Sequence, residues 1–246
     1  MFENKTILIV GVGEGIGKAI TWAFTKGKAR VFFVSRQKER GEKLLEQLRR
    51  INQTVYYLNA DCSRQDGVLF VREQVEEKSK KLDILIINTG KWISKPLYEH
   101  SDEDWEQLIN SNFKVHFLLY RNFASLFQRQ KKGLIFSIVG IFGPRYVPND
   151  QSVYNATKSA CLSLSKSFAQ ELAPFNVKLF IISPTQTLHK IKSKKPWIKL
   201  ETEYTLNRQA VPEDVALFIE KIASFPDIFS TGSVFEIAGI KSSAIF

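Results

Sequence analysis

The chain has 246 residues, 44% of them hydrophobic. A chain of this length buries roughly three quarters of its unfolded surface, so wholesale disorder is excluded. The charge is lopsided, 35 Lys+Arg against 25 Asp+Glu for a net +10. That leaves nucleic acid, an anionic membrane, an acidic protein or an anionic cofactor as partners, besides a plain lysine-rich solvated surface.

In chain order, Ile7 to Val10 reads as a first strand and Ile16 to Lys28 as a first helix. Between them lies Gly11-Val12-Gly13-Glu14-Gly15-Ile16-Gly17. GxGxxG fails here, because Ile16 and Lys18 stand where the last glycine would be needed. GxxxGxG fits as Gly11, Gly15 and Gly17. Such a loop allows a tight turn and close backbone approach to a pyrophosphate, and the helix start then meets the phosphate charge. The second strand, Arg30 to Ser35, ends twenty residues after Gly15. An acid at that point would select the ribose 2′-hydroxyl of NAD. The chain has Ser35 and Arg36, with Lys38 and Arg40 close by. A guanidinium without a carboxylate favours a 2′-phosphate, so NADP(H) is expected over NAD(H). Glu14 is the opposing sign.

A helix over Glu39 to Ile51, a strand over Thr54 to Asn59, a helix over Gln65 to Lys80 and a strand over Ile84 to Asn88 follow. One long helix is expected from Asp102 to Gln130, with Ser101 as its cap and acids in its first turn. Leu134 to Val139 reads as the fifth strand. The helix Val153 to Ala173 opens on Tyr154-Asn155-Ala156-Thr157-Lys158. Val177 to Ser183 is a strand, Pro184 to Asn207 is irregular, Pro212 to Phe225 is a helix with proline in its first turn, and Ser233 to Ile237 is the last strand. The strands are near-continuous in Ile, Leu, Val and Phe, as in parallel sheets covered on both faces. The alternation predicts an α/β fold, a single Rossmann-type doubly wound domain over 1–246 with about seven parallel strands.

Tyr154 and Lys158 share a helix face, so a phenol and an ammonium can address one site. The ammonium is expected to lower the phenol pKa toward use as a general acid/base. Cys62 and Cys161 have no partner at ligand spacing, and His100, His116 and His189 are scattered, so no metal site is expected. No apolar run approaches the ~18 residues of a membrane span, and Met1 to Lys5 show no signal-like stretch; a soluble, cytoplasmic protein is expected.

These landmarks together resemble the short-chain dehydrogenase/reductase family over roughly residues 5 to 240. They run from the glycine loop through Asp61, Asn88-Thr89-Gly90, Asn112 and Tyr154/Lys158. They continue with Ser183-Pro184, Pro212-Glu213-Asp214-Val215-Ala216 and Thr231-Gly232. The resemblance implies hydride transfer between NAD(P) and a carbonyl or alcohol. It implies Tyr154 as proton donor, Lys158 on the nicotinamide ribose and tuning the tyrosine, and Asn112 holding a relay water. It places Asp61 at the adenine. The implied cofactor set is Gly11, Gly13, Gly15, Ile16, Gly17, Ser35, Arg36, Asp61, Cys62, Asn88, Gly90, Tyr154, Lys158, Pro184 and Thr187. The family usually forms dimers or tetramers, so a homo-oligomer is expected.

One departure bears on activity. The family's serine after the fifth strand falls here on Gly140 or, given one extra residue before Tyr154, on Ile141. Neither carries a hydroxyl. Ser137 has the opposite strand parity to residue 140 and should point away. Ser94, Tyr146, Ser152 and Thr187 are candidate substitutes. Two smaller departures are Thr185 after Pro184 and Ile87 before Asn88.

Most of the charge excess lies in two segments without acids. One is Arg121 to Lys132, with Arg129 and Lys131. The other is His189 to Lys199, with Lys190, Lys192, Lys194 and Lys195. The second lies in the expected substrate loop, about 184–207, and could steer an anionic or carrier-bound substrate. No recognition motif supports nucleic acid. The leading reading is a carbonyl reductase acting on a small-molecule ketone or 3-oxoacyl group. The alternative is a cofactor-binding protein with little or no catalysis, acting as a structural or regulatory subunit.

Overall fold

The apolar runs fold as strands, the central ones buried on both faces and the two edge strands partly exposed. The computed structural model describes residues 2–140, 150–184 and 210–237. Among them, β1 (Thr6–Val10), β2 (Arg30–Ser35), β3 (Val55–Asn59), β4 (Ile84–Ile87), β5 (Gly133–Ile138), β6 (Val177–Pro184) and β7 (Val234–Ile237) form one parallel sheet in the order β3-β2-β1-β4-β5-β6-β7. The helices are α1 (Ile16–Lys26), α2 (Lys38–Arg49), α3 (Gln65–Ser79), α4 (Asp102–Leu108), α5 (Val115–Gln130), α6 (Ser152–Leu172) and α7 (Pro212–Ser224).

Along β1, Leu8 and Val10 face one core while Ile7 and Ile9 face the other, the period-two alternation of a strand. The first core is closed by α3, α5 and α6 through Val68, Val71, Leu119, Phe123 and Ala169. The second is closed by α1, α2 and α7 through Ile20, Phe24, Leu44, Leu48 and Ile219. β1 pairs with β2 on one side and β4 on the other. Strand order therefore reverses between β1 and β4, and their carboxyl ends open a crevice where ligands bind in such sheets.

The helix starts follow their sequence signals. Ser101 Oγ accepts from the Asp104 amide at 3.3 Å and Asp104 Oδ2 accepts from the Ser101 amide at 3.1 Å, a reciprocal capping box. The Val211 amide likewise donates to Asp214 Oδ2 at 2.9 Å, ahead of Pro212. The run expected as one helix from Asp102 to Gln130 is continuous but changes register. A π-turn, Ile109–Lys114, joins α4 to α5. Apolar periodicity spans both halves and does not register the inserted residue. Such turns concentrate at functional sites, and this one contains Asn112. Beyond Pro184, the expected substrate loop lies outside the described residues.

Candidate functional site

The chain turns sharply where β1 ends. The Gly11 and Val12 amides both donate to the Val34 carbonyl, at 3.2 and 3.0 Å, hanging the loop on the end of β2. Gly11 has φ +91°, and a Cβ there would fall 2.4 Å from the Asn88 carbonyl oxygen. A Cβ on Gly17 would fall 2.7 Å from the Gly11 carbonyl oxygen. Asn88 Nδ2 donates to that same carbonyl at 2.8 Å, tying the end of β4 to the loop. Around Gly13 the Cβ position is open. Gly15 precedes α1 with no side-chain cap, and the first turn holds no acid. The first amides and the positive end of α1 are thus free to meet an anion.

A cavity of about 310 Å³ opens over this loop, lined by Gly11, Gly13, Ser35, Arg36, Asp61, Cys62, Asn88 and Gly90. Gly15, Ile16 and Gly17 shape the turn without joining that lining. Sequence reasoning misses Gln37, Ser63 and Ser111, which also line the cavity, as does Thr89 of the Asn88-Thr89-Gly90 landmark. Their signal is adjacency: each stands one or two residues from a recognised landmark. Asp61 Oδ1 accepts from the Ser63 amide at 2.9 Å and its hydroxyl at 2.7 Å, which fixes the turn after β3. Cys62 is buried in the core, and burial pushes its thiol up to about 12. The Ser35 carbonyl accepts from Tyr57 and Asn59, holding the end of β2 open toward Arg36. Arg40 lines both this cavity and an adjoining one of about 350 Å³ that contains Glu14, Lys18 and Lys43. Lys18 Nζ donates to Glu14 at 3.0 Å, so the opposing carboxylate is engaged by a cation.

Tyr154 and Lys158 project from the first two turns of α6. Lys158 is 4% exposed, its Nζ 5.7 Å from the centre of the Tyr154 ring and 3.4 Å from the Thr89 carbonyl. A Cβ on Gly90 would fall 3.0 Å from that Nζ, so glycine there lets the ammonium reach the cavity wall. Burial pushes the Lys158 pKa down. It pushes Tyr154 up to about 12. This corrects the expected lowering: loss of water around the phenolate sets the direction, and the ammonium lies over the ring rather than at the hydroxyl. Asn112 is fully buried. Its Oδ1 accepts from the Lys91 amide at 2.6 Å, and its Nδ2 donates to the Lys91 carbonyl and Thr157 Oγ1, both at 3.0 Å. Thr157 in turn donates to the Tyr154 carbonyl at 2.7 Å. The Asn112 side chain therefore braces the loop after β4 against the first turn of α6.

Gly140, just after β5, has φ +97°, and a Cβ there would lie 3.5 Å from the Tyr154 hydroxyl oxygen. Ser137 is buried and accepts from Ser165, which bonds Tyr120. Ser94 and Ser152 are exposed. Pro184 ends β6, paired with Ile237. Ile141, Tyr146, Thr187 and the basic segment His189 to Lys199 lie outside the described residues. In the other basic segment, the Arg121 guanidinium stacks 5.0 Å from the Phe117 ring centre and donates to Gln65. Arg129 pairs with Glu76 at 3.5 Å. These cations serve local packing and the end of α5.

The family model for short chain dehydrogenases matches residues 5–196. The chain belongs to this family of nicotinamide-dependent oxidoreductases. It is 31% identical to the 3-oxoacyl-[acyl-carrier-protein] reductase of Thermotoga maritima, across 96% of this chain and 97% of that one. It is 28% identical to a 3beta-hydroxysteroid dehydrogenase of Mediterraneibacter gnavus, across 95% and 93%. The fold is shared with the solved structure of ElxO with NADP bound, at TM-score 0.83 and 24% identity across 95% of this chain and 96% of that one.

Proposed function

We propose that the protein is an NADP(H)-dependent oxidoreductase that interconverts a carbonyl and an alcohol, with Tyr154 as proton donor. The supporting observation is a convergence. Lys158 is buried against Thr89 and Gly90 of the cleft lined by Gly11, Gly13 and Arg36, with Tyr154 one turn before it. The cleft fits a dinucleotide. Close backbone approach at Gly11 and Gly17, open space at Gly13 and uncapped amides at α1 suit the diphosphate. Arg36 and Arg40 suit a 2′-phosphate, and the Asp61 turn suits adenine. When bound, the nicotinamide supplies the hydride.

The chain's own part is proton chemistry. A phenol whose pKa is pushed up to about 12 is fully protonated at neutral pH and can donate to an oxygen gaining negative charge. The buried Lys158 ammonium stabilises the phenolate left behind. Gly140 bears on the second donor that carbonyl reduction benefits from. A side chain there would start 3.5 Å from the Tyr154 hydroxyl, so residue 140 is one position from which a hydroxyl would reach the same substrate oxygen. Its absence is the observation that favours the second reading, a cofactor-binding protein with little catalysis. The two curated relatives are named for a 3-oxoacyl and a 3-hydroxysteroid substrate. The substrate class proposed is therefore a ketone or secondary alcohol on an apolar chain or ring skeleton, free or carrier-bound, turned over by a homo-oligomer.

The test is cofactor oxidation with NADPH and with NADH across ketones that include 3-oxoacyl thioesters and 3-oxosteroids. Turnover of at least one ketone with NADPH preferred supports the first reading. NADPH binding with every ketone inert supports the second.

A further inference from the structure

Behind the Tyr154 and Lys158 face of α6 lies a polar cluster that the proposed reaction does not use. Cys161 stands one turn after Lys158, and His116 one turn after Asn112. Both are fully buried. The Cys161 thiol donates to the Asn112 backbone carbonyl at 2.8 Å and lies 3.6 Å from His116 Nδ1. Among the described residues, His116 Nε2 has no partner.

The acceptor, the Asn112 carbonyl, lies within the π-turn. A helix that changes from i+5 to i+4 bonding has fewer amides than carbonyls across the change. A buried carbonyl left over must find another donor. Burial holds the Cys161 thiol up at about 11, so it keeps its proton and remains a donor. His116 is held neutral by the same burial, down to about 3. The imidazole therefore backs the thiol without adding a second cation beside Lys158.

We propose that Cys161 is a positioning residue. By donating to the Asn112 carbonyl it fixes the π-turn, and through the Asn112 side chain it fixes the Gly90–Lys91 loop against which Lys158 lies. The chain of contacts is continuous: Cys161 to Asn112 carbonyl, Asn112 amide to Lys91 and Thr157, Thr157 to the Tyr154 turn. The kinetic consequence rests on the function proposed above; the structural one does not.

Two variants separate donation from packing. Cys161→Ala loses the thiol and its donor, whereas Cys161→Ser loses nearly the same volume and keeps a donor. Two quantities are read: kcat with saturating NADPH, and hydrogen exchange of the Lys91 amide by NMR, which reports the Asn112 Oδ1 bond without turnover. Cys161→Ala is expected to lower kcat by about tenfold to about a hundredfold, the range for a small misplacement of reacting groups, with NADPH affinity unchanged. Its Lys91 amide is expected to exchange faster. Cys161→Ser is expected to hold both quantities near wild type. Wild-type behaviour in Cys161→Ala, or equal losses in both variants, would overturn the proposal. If wild type itself turns over no ketone, the function is refuted and the Lys91 exchange still decides the role of Cys161.

Discussion

A phenol in an apolar wall is a better acid store than a base. At Tyr154, burial raises the pKa to about 12, so reduction finds the proton in place at any pH from 6 to 9. Alcohol oxidation needs that proton gone. Its kcat/KM is expected to climb about tenfold per pH unit over the same range while reduction stays flat, the behaviour of a single ionisation well above the working pH; parallel pH profiles for the two directions check this. Gly140 makes a second residue-scale prediction. Gly140→Ser places a hydroxyl beside the Tyr154 oxygen, at the strain of a side chain with φ +97°. Gly140→Ala carries the same strain without the hydroxyl. On a simple ketone the serine variant is expected to exceed the alanine variant by about 10²-fold in kcat, the worth of one oxyanion donor. Arg36→Ala is expected to weaken NADPH binding by about 1.5–3 kcal/mol and leave NADH unchanged, as titrations of both cofactors will show. Arg36 and the glycine loop are legible in the sequence because local spacing carries them. The Tyr154 shift is not, because burial is set by distant residues. Nor could spacing choose between Gly140 and Ile141, since one inserted residue leaves both alignments open.

The elements follow their signals except where the hydrogen-bond register changes. Ser101 and Asp104 start α4 as their spacing says, while the π-turn at Asn112 is silent in the apolar pattern. Two helices end where the sequence places them but without the usual glycine. Lys80 follows α3 with φ 56° and Lys131 follows α5 with φ 49°, left-handed positions where glycine is the usual residue. A side chain there costs about 1–2 kcal/mol, partly offset by glycine's greater freedom in the unfolded chain. Lys80→Gly is therefore expected to stabilise the protein by about 0.5–1 kcal/mol in urea unfolding, with activity unchanged.

For the molecule as a whole, the sheet separates chemistry from anchoring. The carboxyl ends of β1, β2 and β4 carry the cleft. The opposite edge is tied by Asp83, which accepts from the Thr6 amide at 2.9 Å and Lys5 at 3.0 Å and pairs with Lys81 at 3.1 Å. Burial alone would raise this carboxyl, but those donors outweigh it and hold it below its ordinary value of 3.8. A depressed folded pKa means stability present above 3.8 and lost as pH falls through the lower folded value. Asp83→Asn is expected to be less stable than wild type at neutral pH, the gap closing below about pH 4, as urea midpoints across pH will show. The parallel sheet itself was legible, since seven apolar runs alternating with amphipathic stretches admit little else. The net charge resolves only in part: Arg121 and Arg129 are absorbed by Phe117, Gln65 and Glu76.

The central claim is that the cleft works on a carbonyl through Tyr154. The most direct measurement is steady-state NADPH oxidation by wild type and by Tyr154→Phe with the best ketone of the panel, NADPH affinity being determined for both. The account predicts turnover in wild type that falls to background in Tyr154→Phe, with NADPH bound equally well. Turnover that survives in Tyr154→Phe would contradict it.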